Sequence, residues 1–96
     1  MNYTQSLIKI FQQTSPNFQA DWDVPRKQTL VYSTLKKGET AAEEAFHLLN
    51  APLDLLSPWQ RDIVRDHRSH SLSVGDVVEV DGEKYLCASR GWIKQN

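Results

Sequence analysis

The chain has 96 residues, enough for one small domain, and its 40% hydrophobic and 24% charged content excludes a disordered polar chain. A formal net charge of -1 excludes a global field that would draw it to nucleic acid or a membrane surface, so either role needs a local patch. The one cysteine, Cys87, excludes an internal disulfide, and no apolar run reaches the roughly 18 residues that a membrane helix needs.

The N-terminal stretch "MNYTQSLIKIFQQ" has one positive charge, Lys9, and no long apolar centre. It makes a poor signal peptide, and with the lone cysteine it points to a cytosolic protein. Tyr3, Leu7, Ile8, Ile10 and Phe11 share one side of a helical wheel, which predicts an amphipathic N-terminal helix, with a strand as the alternative in so short a segment. "TSPNFQADWDVP" reads as a loop, with Phe18 and Trp22 pinning it to the core. "TLVYSTL", 29–35, is β-branched, aromatic and alternating, and predicts a strand that Lys36-Lys37-Gly38 ends.

Two helix starts follow. Thr40 with Glu43 three residues on has the form of a capping box, and Ala42, Ala45, Phe46 and Leu49 then share a face. Ser57, Pro58 and Gln60 repeat the device. Helices are expected over 41–49 and 58–67. The C-terminal part reads as β: 76–80 and 83–88 flank Asp81-Gly82, which suits a two-residue hairpin turn. That turn pairs Glu79 with Lys84, Val78 with Tyr85 and Val77 with Leu86. After Gly91, Trp92 and Ile93 begin a short last strand over 91–94. The expected fold is α+β: a small, mostly antiparallel sheet with a C-terminal hairpin, packed by two or three helices in one domain.

The runs "HSLSVGDVV", 70–78, and "YLCASRGW", 85–92, resemble the signature of the YodL-like domain family. Its members show a His-Ser-Leu-Ser-Val-Ser-Asp-Val-Val run, followed by Tyr-Tyr-Val-Asp-Ser-x-Gly-Phe. "TLVYSTL", "KKGET" and the helix after them resemble the family's middle, so the likeness spans about residues 29–93 and leaves 1–28 as an N-terminal helix and loop extension. The motif positions here are His70, Ser71, Ser73, Asp76, Tyr85, Ser89, Gly91 and Trp92. Three depart from the family's pattern: Gly75 stands for Ser, Ala88 for Asp and Trp92 for Phe. If that Asp carries chemistry in relatives, this chain lacks it. The resemblance implies a small domain of phage, plasmid and conjugative-element proteins, with no established catalytic activity.

Candidate chemistry is thin. His67, His70, Cys87 and Asp76 could be imagined around zinc, but one cysteine and no second Cys/His cluster argue against a metal site. His67 falls on the apolar side of its helix with Trp59 and Ile63, where a histidine bonds the backbone of a helix end. Ser69, Ser71 and Ser73 lack a nucleophile elbow. Ser73 and Asp76 around Val74-Gly75 suit a tight turn that leads into a strand, which His70 would tie to the neighbouring helix. Cys87 shares a face with Tyr85 and reads as a small buried hydrophobe. No cofactor is expected.

Arg61, Arg65 and Arg68 form a helical stripe beside Asp62 and Asp66. It reads as a solvated face laced with ion pairs, or alternatively as a phosphate-binding ridge. The expected function is that of a non-enzymatic accessory module with a protein partner. A small nucleic-acid-binding protein using the arginine stripe is the alternative, and an enzyme built on His67, His70 and Cys87 comes last.

Overall fold

The computed structural model describes residues 4–65 and 71–96. Its elements are β1 (Ser6–Gln13), β2 (Arg26–Thr34), α1 (Gly38–Asn50), a 3-10 turn (Leu53–Leu55), α2 (Pro58–Val64), β3 (Val77–Val80), β4 (Glu83–Cys87) and β5 (Trp92–Lys94). The strands form one five-stranded antiparallel sheet in the order β2-β1-β3-β4-β5. This is the α+β fold expected, with its C-terminal hairpin. No helix among the described residues is long and apolar enough to cross a membrane.

The N-terminal segment departs from expectation, because 6–13 is a strand and not a helix. Leu7, Ile8, Ile10 and Phe11 satisfy both a helical and an alternating period, so the pattern alone does not decide. Tertiary pairing decides: β1 lies between β2 and β3, with Ile10 opposite Leu30 on one side and Val78 on the other. Residues 6–13 are therefore an interior strand of the sheet and not an extension of it.

Alternation along the strands divides the sheet into two faces. Ile8, Ile10, Leu30, Tyr32, Val78, Val80, Tyr85 and Cys87 point to the helices and join Ala41, Ala42, Ala45, Leu48, Leu49, Leu56, Val64 and Leu72 in one core. The three alanines of α1 are fully buried, so that helix lies close on the sheet. Phe46, expected on this face, is exposed instead, and Ala41 and Leu48 take its place. On the other face the loop 14–25 approaches the sheet: half-buried Trp22 lines a small cleft of about 210 Å³ with Phe11 and Val77. Phe18 does not help to pin the loop, being 68% exposed with φ 58°.

The hairpin matches the expected register pair for pair: Val77 with Leu86, Val78 with Tyr85 and Glu79 with Lys84. Asp81 and Gly82 both have positive φ, 50° and 85°, the geometry of a type I′ turn. Asp81 Oδ1 also accepts from Leu7 N–H at 2.8 Å, which fastens the turn to β1 and holds the carboxyl below its ordinary range.

The two helix starts behave differently. At Ser57 one half of the expected capping box is made, Ser57 N–H donating to Gln60 Oε1 at 2.9 Å, while the Ser57 hydroxyl finds no partner among the described residues. Thr40 caps nothing, because α1 starts earlier: Lys37 is its N-cap residue, in extended backbone. Gly38, at φ 53°, turns the chain into the helix two residues before Thr40. Helix α2 is assigned to Val64, and its expected last turn to residue 67 extends beyond the described residues.

Candidate functional site

Among the described residues, the segment Ser71–Asp76 builds the most connected polar site. Asp76 is buried, and its two carboxylate oxygens accept from three N–H donors. Oδ1 takes Gln13 N–H at 2.9 Å, and Oδ2 takes Ser73 N–H at 2.8 Å and Gln12 Nε2 at 3.5 Å. Asp76 N–H donates back to Ser73 O at 2.9 Å, closing the turn expected around Val74-Gly75. Gly75 has φ 97°, and a Cβ there would stand 2.6 Å from Gln19 O and 2.7 Å from the Gln13 amide, so only glycine fits. Gly75 N–H donates to Cys87 O and Cys87 N–H to Asp76 O, which carries the hairpin ladder into the turn.

Arg26 holds the loop 14–25 to this turn. Its Nε donates to Gly75 O at 2.9 Å, and its terminal nitrogens donate to the carbonyls of Trp22, Val24 and Asp21. Burial lowers its pKa, and the charges of Asp76 and Asp21 oppose that shift. At the other end of the segment, the Asn50 side chain grips the Leu72 backbone twice. Leu72 N–H donates to Oδ1 at 2.8 Å, and Nδ2 donates to Leu72 O at 2.9 Å. Asn50 thus ties this stretch to α1, and the tie expected of His70 lies outside the described residues. Ser71 is exposed, and its carbonyl accepts from Gln12 Nε2 and Ser73 Oγ. Sequence reasoning passed over Asn50, Gln12, Gln13 and Arg26, whose partners in this segment lie 22 to 64 residues away in the chain.

Cys87 is a free thiol, buried in the core. Burial, then the charges of Asp76 and Glu43, push its pKa up to about 11, so it is protonated and a poor nucleophile at neutral pH. No group of three or more candidate metal ligands occurs among the described residues. His67 and His70, with Arg68 and Ser69, lie outside the described residues, and so do the metal and helix-end roles considered for them.

The second motif frames a cleft of about 220 Å³ between α1 and the β4–β5 turn, lined by Glu43, Phe46, Cys87, Ala88, Ser89, Gly91 and Trp92. Trp92 Nε1 donates to Glu43 Oε1 at 2.6 Å, which clasps β5 to the helix. Gly91 has φ 78°, and Ala88 N–H donates to its carbonyl at 3.0 Å. Ser89 is exposed. Tyr85 is buried, with its hydroxyl donating to Glu83 Oε2 at 3.4 Å. These residues close a turn and an edge, and the structure brings no acid–base pair together among them.

On α2, Arg61 and Arg65 are exposed, and Arg65 pairs with Asp62 at 3.6 Å. Trp59 does not sit on a buried side opposite them as expected: it is 49% exposed. It belongs to another cleft, of about 430 Å³, where the end of β2 meets both helices, lined by Gln5, Ser33, Thr34, Leu35, Lys36, Glu44 and Trp59. Leu35 is 61% exposed there. Tyr32 OH and Glu44 Oε1 are buried without a hydrogen-bond partner among the described residues, and burial, then the charge of Glu44, raises the pKa of Tyr32. No family model, curated protein or solved structure matches the chain at a significant level.

Proposed function

We propose that this chain is a non-enzymatic accessory module that acts in the cytoplasm by binding another protein, and that it is a YodL-like domain of phage or mobile-element origin. The protein-binding reading is carried by the cleft at the end of β2, where Leu35 and Trp59 stand 61% and 49% exposed on one surface. Tryptophan is enriched among the anchors of interface centres, and exposed Leu35 extends the apolar patch beside it. The absence of catalysis is supported by how the reactive groups are used. Asp76 spends both oxygens on backbone and amide donors, and the Cys87 thiol is buried with a raised pKa. The family is supported by the runs at 70–78 and 85–92 alone.

The alternative, nucleic-acid binding through Arg61, Arg65 and Arg68, has against it the pairing of Arg65 with Asp62. One experiment separates the two. The chain is used as bait in host lysate at roughly 0.15 M salt, where exposed charges are well screened, alongside Trp59→Glu and Arg65→Ala. The expected result is a protein retained at one-to-one ratio by the wild type and Arg65→Ala but lost with Trp59→Glu. Co-purifying nucleic acid that Arg65→Ala releases would establish the alternative.

A further inference from the structure

We propose that the outer edge of β2, with the cleft beneath Trp59, receives an extended acidic segment of a partner protein as a sixth strand of the sheet. This rests on the protein-binding reading and gives it a surface and a partner chemistry.

The two edges of the sheet are unlike. β5 offers three residues. β2 offers nine, and its outer side pairs with no strand among the described residues. A bare edge of that length invites another chain, and proteins guard such edges with charge, proline and bulges. Here the guard covers half of the strand. Pro25, Arg26 and Lys27 stand at its start, and the register shift at Ile10/Phe11 leaves Thr29 bulged. From Leu30 to Leu35 there is no charge, proline, glycine or bulge. This unguarded stretch runs into the cleft of Leu35 and Trp59, a socket for one apolar side chain of an added strand.

Charge selects the occupant. Residues 26–37 hold Arg26, Lys27, Lys36 and Lys37 and no acid, in a chain with 12 acids to 11 bases. Arg26 is spent on loop carbonyls and the Lys37 ammonium donates to Thr4 O, while Lys27 and Lys36 are exposed at the two ends of the neutral stretch. A second copy pairing antiparallel through the same edge would set Lys27 against Lys37 when centred on Tyr32, or Arg26 against Lys36 when centred on Val31. Like charges in cross-strand pairs are destabilising. A neutral β-forming segment flanked by Asp or Glu meets no such opposition. Nucleic acid meets the charge but cannot supply the alternating N–H and C=O groups of a strand.

The test titrates the full chain with three synthetic peptides: Glu-Glu-Val-Thr-Val-Val-Glu-Glu, the same with Lys for every Glu, and the acidic one N-methylated at alternate bonds. Amide hydrogen exchange and tryptophan fluorescence are read. The expected result is micromolar binding of the acidic peptide alone, with exchange at residues 30–34 slowed at least tenfold. The Lys27→Glu, Lys36→Glu double variant should invert the preference toward the Lys peptide. Equal binding of the N-methylated peptide, or no slowing at 30–34 with millimolar acidic peptide, would overturn the proposal. Peptide-free dimerisation that protects 30–34 would also overturn it, in favour of a second copy. A captured protein that protects 58–65 instead would refute the edge while leaving the protein-binding reading in place.

Discussion

At the scale of single residues, Asp76 explains why the run around it reads like a site. A serine, a glycine and an aspartate before an apolar strand are residue types that chemistry also uses. Here the carboxylate serves Gln13 N–H, Ser73 N–H and the Gln12 amide, and its buried charge is met by donors rather than by a substrate. Removing it leaves two backbone donors without acceptors, so Asp76→Ala should lower stability by about 2–4 kcal/mol. Asp76→Asn, which keeps the shape and one carbonyl oxygen, should cost roughly half as much. Urea unfolding of the two variants against wild type measures both. For Cys87 the folded pKa of about 11 lies above the ordinary thiol value, so the folded state holds its proton longer than the unfolded chain. Stability from this group is intact below pH ~8.5 and is lost as pH rises from there through about 11. Native protein at pH 8 should therefore resist iodoacetamide, with labelling that tracks global unfolding; rapid labelling of the folded chain would show a reactive thiol after all.

At the scale of elements, helix starts provide the clearest contrast. Gln60 makes a real cap contact, and Gln60→Ala should cost about 0.5–1.5 kcal/mol. Thr40 lies inside α1, and Thr40→Ala should be neutral or slightly stabilising, within about 0.5 kcal/mol. Paired thermal melts decide between this and a capping role for both. The same contrast shows what could be read from the sequence. The β3–β4 hairpin was legible to the residue because a two-residue turn fixes its register locally. The Ser57 helix start was legible because a proline at the first helical position anchors it. β1 was not, since Leu7, Ile8, Ile10 and Phe11 fit two periods and its neighbours come from β2 and β3. The Thr40 box misled because Gly38 can take a positive φ and start the helix early. The polar turn at 73–76 was visible in outline, but not its partners: nothing local to Arg26 or Asn50 announces the carbonyls of Gly75 and Leu72 that they hold.

At the scale of the whole molecule, the chain is close-packed, with a radius of gyration of 12.8 Å, and its two halves are interleaved. β1 is an interior strand of the sheet, yet its second neighbour, β3, is about seventy residues away: Ile8 lies opposite Val80. During synthesis the β1–β2 hairpin must wait, with its inner edge bare, until both helices and then residues 77–80 have left the ribosome. Closure of that long loop is entropically slow, and a hairpin bare on both edges is prone to aggregate while it waits. Chains that stop before Val77 should therefore accumulate in the insoluble fraction, and supplying residues 71–96 separately should rescue them by filling the vacant place beside β1. Slower translation through 51–70 would lengthen that exposure, so the yield of this fold should depend on elongation speed in the stretch between α1 and β3.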